Sequence, residues 1–148
     1  MYEPLIPLHM IFGVAWAGAG LFLGLVLCPA LVREPAAGRG GLGVLVKKVR
    51  TFMAASSGMA MVTGLLLLWV TGRFGEFWSA GTLLALLAFV ILTAHEAYSG
   101  KATRQFREAV EASDEARLAS IAQRFGRLSI AAAVLVILIM SGFALGHI

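Results

Sequence analysis

Four long apolar stretches dominate the hydropathy pattern of this chain. They cover about residues 5–32, 52–71, 78–98 and 128–147 and are almost free of charged side chains. Each has close to the ~20 residues that a helix needs to cross the hydrocarbon core of a bilayer. Because lipid offers no partners to backbone N–H and C=O groups, these stretches are expected to be helical. The pattern predicts an all-α fold: an integral membrane antiparallel four-helix bundle forming one transmembrane domain over residues 1–148.

Polar segments between the stretches predict the connections. Residues 33–35 end the first helix, and the glycines within 38–43 predict a flexible loop. Residues 72–76 predict a tight turn between the second and third helices. Residues 101–127 are polar but favour helix, so they predict a cytoplasmic helical hairpin, with an N-cap for its second arm at 113–114.

Composition and charge support a membrane protein. Hydrophobic residues make up 59% of the chain and charged residues 14%, against about 25% charged in soluble domains. The net charge of +4 comes from Lys and Arg concentrated in the first and third connections, which indicates membrane orientation rather than nucleic-acid binding. We expect a multi-pass protein of a bacterial inner membrane, with the lipid bilayer as partner, both termini outside, and the first helix retained.

The residue inventory excludes several kinds of chemistry. One cysteine permits neither an intramolecular disulfide nor a CxxC site. The sequence holds no nucleotide-binding loop, no Ser/His/Asp constellation and no paired carboxylates in the apolar stretches, which argues against hydrolysis. Whether the chain is an enzyme, and whether it forms a homo-oligomer, stays open.

The three histidines are expected at two depths of the bundle. His9 and His147 fall at the outer end, and His95 falls at the inner end, level with Cys28 and Met53. Imidazole is a common ligand of haem iron and of copper, and helix bundles hold such cofactors between facing helices. Cys28 would add a soft ligand for copper. His9, His95, His147 and Cys28 are therefore the candidate metal ligands, with His147 at the right depth to pair with His9. His9 and His95 are also explained as ordinary interfacial residues, and His147 as part of a frayed terminus that holds a ligand poorly.

His9 is the first candidate because small residues follow it on one face of its helix. Gly13, Ala17, Gly20 and Gly24 remove bulk from that face, and a flat macrocycle needs such a groove. Gly13 and Gly20 are accordingly expected to line a cofactor site. Close helix packing explains the same stripe of small residues equally well.

The segment 8–18, with a histidine followed by tryptophan and glycines, resembles the opening of two related families. They are the copper-resistance protein D family and the membrane protoporphyrinogen oxidase family. Residues 50–67, His95 and residues 124–128 are similar to them in layout. The resemblance implies a membrane bundle that handles haem, porphyrin or copper, with His9 matching the first-helix histidine. The third apolar stretch lacks the lysine that the oxidase family carries there.

Three functions follow as hypotheses. The first is a haem b-binding protein with a redox, electron-transfer or porphyrin-handling role, whose partner would be a redox protein or a quinone. The second is a copper-binding or copper-transporting membrane protein. The third is a structural or assembly subunit without a cofactor.

Overall fold

Four long helices make up the described parts of the chain, which are residues 3–35, 38–73 and 79–144 of a computed structural model. No strand occurs in these ranges. All four helices are long and apolar enough to cross a membrane, which confirms the prediction of an all-α, multi-pass four-helix protein. They are α1 (Leu5–Arg33), α2 (Arg39–Val70), α3 (Ala80–Glu111) and α4 (Glu115–Ala144).

α2 begins well before the apolar stretch that predicted it. It starts at Arg39 rather than near residue 52, so the prediction of a flexible glycine loop at 38–43 is wrong from residue 39 onward. Leu42 is partly buried and Val46 is buried against the core of the bundle. Tertiary packing of this kind overrides the low helix propensity of glycine, which is about 1 kcal/mol per residue.

The helices are longer than a bilayer requires. A 32-residue helix such as α2 or α3 is about 48 Å long, whereas the hydrocarbon core is about 30 Å thick. We call the end where α1 meets α2 and α3 meets α4 the basic end, because most Lys and Arg residues lie there. The surplus length lies at this end, where Val46, Phe106, Leu118 and Phe125 form a buried core. The bundle therefore continues beyond the hydrocarbon as a packed extension.

α1 passes through a proline without ending. Leu5–Phe22 and Cys28–Arg33 are α-helical, while Leu23–Leu27 forms a π-helical turn just before Pro29. Proline lacks the N–H that would bond the carbonyl four residues back, and its ring crowds that carbonyl. A π turn widens the helix at this point and accommodates the ring.

The turn between α3 and α4 is compact. The backbone N–H of Asp114 bonds the Ala109 carbonyl at 2.9 Å, and that of Ser113 bonds the Val110 carbonyl at 3.1 Å. This is a Schellman ending, and Ser113 takes the left-handed position with φ of 52°. The Asp114 side chain then accepts from the Arg117 N–H at 2.9 Å, which confirms the predicted N-cap.

The helices form a ring in sequence order. α1 packs against both α2 and α4, and α3 packs closely against α4. Among neighbouring helices of the ring, α2 and α3 pack least against each other. The interior is thus framed mainly by α1 and α4.

Candidate functional site

His9 lies half-buried in the interface between α1 and α2. Its Nδ1 is 3.0 Å from the Ala60 carbonyl oxygen and 3.1 Å from Thr63 Oγ1. A carbonyl oxygen only accepts hydrogen bonds, so Nδ1 carries the proton. In the neutral ring Nε2 then bears the free lone pair, and it makes no hydrogen bond to any residue the structure describes. Metal-binding histidines are commonly held this way, with one nitrogen anchored to a carbonyl and the other free.

Gly64 makes room for the His9 ring. A Cβ atom at residue 64 would lie 3.0 Å from His9 Cε1 and 3.5 Å from His9 Nδ1, so any side chain there would displace the imidazole. The ring therefore rests directly on the α2 backbone. In the sequence, Thr63 and Gly64 stand out as small residues suited to lining a cavity or to helix packing, and as part of a layout resemblance. The helix rotation that brings them to His9 could not be predicted from the sequence.

The small-residue stripe of α1 packs against α4 and Met53. A Cβ atom at Gly13 would lie 2.9 Å from Met140 Sδ, and one at Gly20 would lie 3.4 Å from the Ser129 carbonyl oxygen. At Gly24 the backbone approach is closer still. Gly13 and Gly20 thus lie in close helix contacts in this structure, and their place in a cofactor site stays a prediction.

His95 lies in the core of the bundle and is 6% exposed. Its Nε2 is 3.0 Å from Ser129 Oγ on α4, while its Nδ1 has no partner among the described residues. Trp16 meets the ring edge-on with centroids 5.2 Å apart, and Phe125 stacks on it at 6.0 Å. The sequence predicted His95 at the inner end of the third apolar stretch, followed by a helical extension, and α3 does continue to Glu111. The imidazole is enclosed on two sides by aromatic rings.

Glu96 is a site residue that sequence reasoning missed. Its Oε1 accepts from the Trp16 indole N–H at 3.3 Å and from the Ser57 hydroxyl at 3.3 Å. Within the described ranges it forms no ion pair. One feature of the sequence could have indicated Glu96: it is a carboxylate beside His95 near the end of an apolar stretch. Carboxylates in such positions are usually held by a specific partner. We call Trp16, Ser57, His95, Glu96 and Ser129 the polar layer.

Of the remaining candidate ligands, the structure describes Cys28 alone. Cys28 is buried beside Gly126, where its Cβ is 3.3 Å from the position of a residue-126 Cβ. His147 lies outside the described residues. Among residues 3–35, 38–73 and 79–144, no three His, Cys, Asp or Glu side chains come together as a metal site.

Comparison of the chain with protein-family models, with curated proteins and with solved structures gives no match. The two histidine environments are therefore the features of the chain that indicate a function. His9 presents a free imidazole nitrogen on an anchored ring. The polar layer is a network that links all four helices by hydrogen bonds and aromatic contacts.

Proposed function

We propose that this chain binds haem b in the membrane, with His9 as an iron ligand. Its role would be either electron transfer or the handling of haem or porphyrin. One observation carries the proposal: Nδ1 of His9 is fixed on the Ala60 carbonyl, which leaves Nε2 for a metal. Bound haem would supply one-electron chemistry or porphyrin exchange. The family resemblance of the 8–18 segment supports the same residue.

The chain's own residues hold the ligand in position. The Ala60 carbonyl and the Thr63 hydroxyl keep the proton on Nδ1, so the tautomer is fixed before any metal arrives. Thr63 in turn donates to the Met59 carbonyl at 2.7 Å, which limits rotation of its side chain. Gly64 sets the ring against α2. These contacts cut the entropy lost when a metal binds.

The test is the visible spectrum of protein purified in detergent from cells supplied with haem. We expect a Soret band that sharpens and shifts on reduction, with resolved α and β bands, in the parent protein. His9→Ala protein with unchanged helical circular dichroism should lose most of this absorbance. Haem bound equally by His9→Ala protein would refute the assignment. A colourless parent that contains copper by metal analysis would support the copper alternative instead.

Two glycines on α2 give a matched pair for the geometry. Gly64→Ala should displace the His9 ring, because Cε1 lies 3.0 Å from the new Cβ, and should therefore weaken haem binding. Gly58→Ala meets nothing within 4 Å and should leave it unchanged. Equal haem binding by both variants would mean that the position of the His9 ring against α2 does not matter.

We also infer that the basic end faces the cytoplasm of a bacterial inner membrane, with both termini outside. The support is the positive-inside rule applied to the connections at residues 34–38 and 112–114 and to the helix ends that flank them. An alkaline phosphatase reporter fused after residue 148 should be active, and one fused after residue 112 should be inactive. The reverse pattern would overturn this orientation.

A further inference from the structure

A groove of about 320 Å³ runs between α1 and α4 at the basic end. Ile130 forms part of its wall at the end nearer the membrane-spanning segments. Arg127 and Gln123 follow along α4 toward the basic end, and Arg33 lies at the basic end of α1. The groove thus has an apolar residue at one end and two cationic side chains farther toward the basic end.

Its two arginines differ from most arginines of the α3–α4 connection. Arg104 and Arg107 each lie near a glutamate one turn later on α3, at 3.8 Å. Arg117 pairs with Glu108 at 3.0 Å. Arg33 and Arg127 are exposed and have no carboxylate within ion-pair distance among the described residues. Positive charge at the groove is therefore left uncompensated.

The depth of the groove matches the boundary of the hydrocarbon core. The apolar run of α4 starts at Leu128, directly after Arg127, and α1 is apolar up to Val32, directly before Arg33. Arginines at the ends of apolar runs lie among lipid headgroups. Ile130 lies three residues farther into the apolar run of α4.

We propose that this groove binds an anionic phospholipid. Its phosphate contacts the Arg33 and Arg127 guanidinium groups, and the Gln123 amide donates a further hydrogen bond. The part of one acyl chain next to the headgroup lies against Ile130. Arginine suits this role because its planar fork of donors matches phosphate oxygens. Basic pockets between transmembrane helices bind anionic headgroups by the same chemistry. Binding of a phospholipid in this groove does not require haem.

The experiment is native mass spectrometry of the full chain in detergent, with phosphatidylglycerol and phosphatidylcholine of identical acyl chains added in series. The parent should retain phosphatidylglycerol at lower concentration than phosphatidylcholine. Arg33→Gln/Arg127→Gln protein should bind phosphatidylglycerol roughly 30-fold more weakly, given about 1 kcal/mol for each basic residue at a lipid surface. Its affinity for phosphatidylcholine should hardly change.

The matched control removes the same charge elsewhere. Arg104→Gln/Arg107→Gln protein also loses two positive charges, but from side chains that already lie beside glutamates. It should bind phosphatidylglycerol like the parent. An equal loss in both double variants would refute the groove and indicate general electrostatic attraction. Inorganic phosphate that competes as well as the lipid would refute a role for the apolar end of the groove.

Discussion

The closest approach between α1 and α4 offers a sharp test of the packing. A Cβ atom at Gly24 would lie 2.6 Å from the Gly126 carbonyl oxygen and 2.6 Å from Ile130 Cγ1. The first of these atoms belongs to the backbone of the partner helix and cannot rotate away. Gly24→Ala therefore forces α1 and α4 apart. Overpacking of this kind costs about 1–3 kcal/mol, and we expect a value toward the upper end.

Two other glycines complete a graded series. Gly126→Ala would place its Cβ 3.2 Å from the Gly24 carbonyl oxygen and 3.3 Å from Cys28 Cβ, which predicts a cost of about 1 kcal/mol. Gly18→Ala, on the same helix as Gly24, meets nothing within 4 Å. It should be neutral, or stabilising by up to about 1 kcal/mol through helix propensity.

The assay is reversible unfolding in mixed micelles of increasing SDS fraction, followed by circular dichroism. The free energy of unfolding should rank Gly18→Ala highest, Gly126→Ala next and Gly24→Ala lowest. If Gly24→Ala were as stable as Gly18→Ala, the α1–α4 contact would not have the spacing described here, and the packing explanation of the stripe would fail.

Two further substitutions test other parts of the structure. Ser129→Ala removes the hydroxyl 3.0 Å from His95 Nε2 and leaves a buried imidazole without a partner. The free energy of unfolding should therefore fall by about 1–3 kcal/mol. An unchanged free energy in the SDS titration would contradict that hydrogen bond. Ser113→Gly relieves the strain of a left-handed backbone conformation, with φ of 52°. It should stabilise the α3–α4 turn by up to about 1 kcal/mol and so slow amide hydrogen exchange there. Faster exchange would contradict the Schellman ending.

The architecture was predictable because few backbone structures satisfy their own hydrogen bonds in lipid. A charge-free run of about 20 residues has to be a helix in a bilayer, and four such runs determine the class of fold. The start of α2 was not predictable by that argument. Leu42 and Val46 pack in an extension outside the hydrocarbon, where hydropathy over a membrane-length window carries no information. The glycines of the same segment pointed the other way, toward a loop.

The candidate site was predictable by residue type more than by arrangement. His9 stands out in the sequence because a titratable ring in an apolar helix needs a partner. Its partners Ala60 and Thr63 depend on the rotation of α2 about its axis, which hydropathy along the chain does not determine. For the same reason the contact from Trp16 to Glu96, 80 residues apart in sequence, was out of reach.

The two described histidines meet different requirements for a cofactor. His95 already uses Nε2 on Ser129, and the rings of Trp16 and Phe125 cover it at 5.2 and 6.0 Å. A macrocycle bound at His95 would need room in a core that the fully buried Trp16 and Phe125 occupy. Binding of a metal at Nε2 of His9 would leave the hydrogen bonds of its anchored Nδ1 in place. His9 is therefore the better candidate for the proposed haem ligand. His95 instead joins α3 to α1 and α4 through its contacts with Trp16 and Ser129. On this reasoning, loss of His9 should remove the cofactor while the bundle stays intact, whereas loss of His95 should weaken the bundle first.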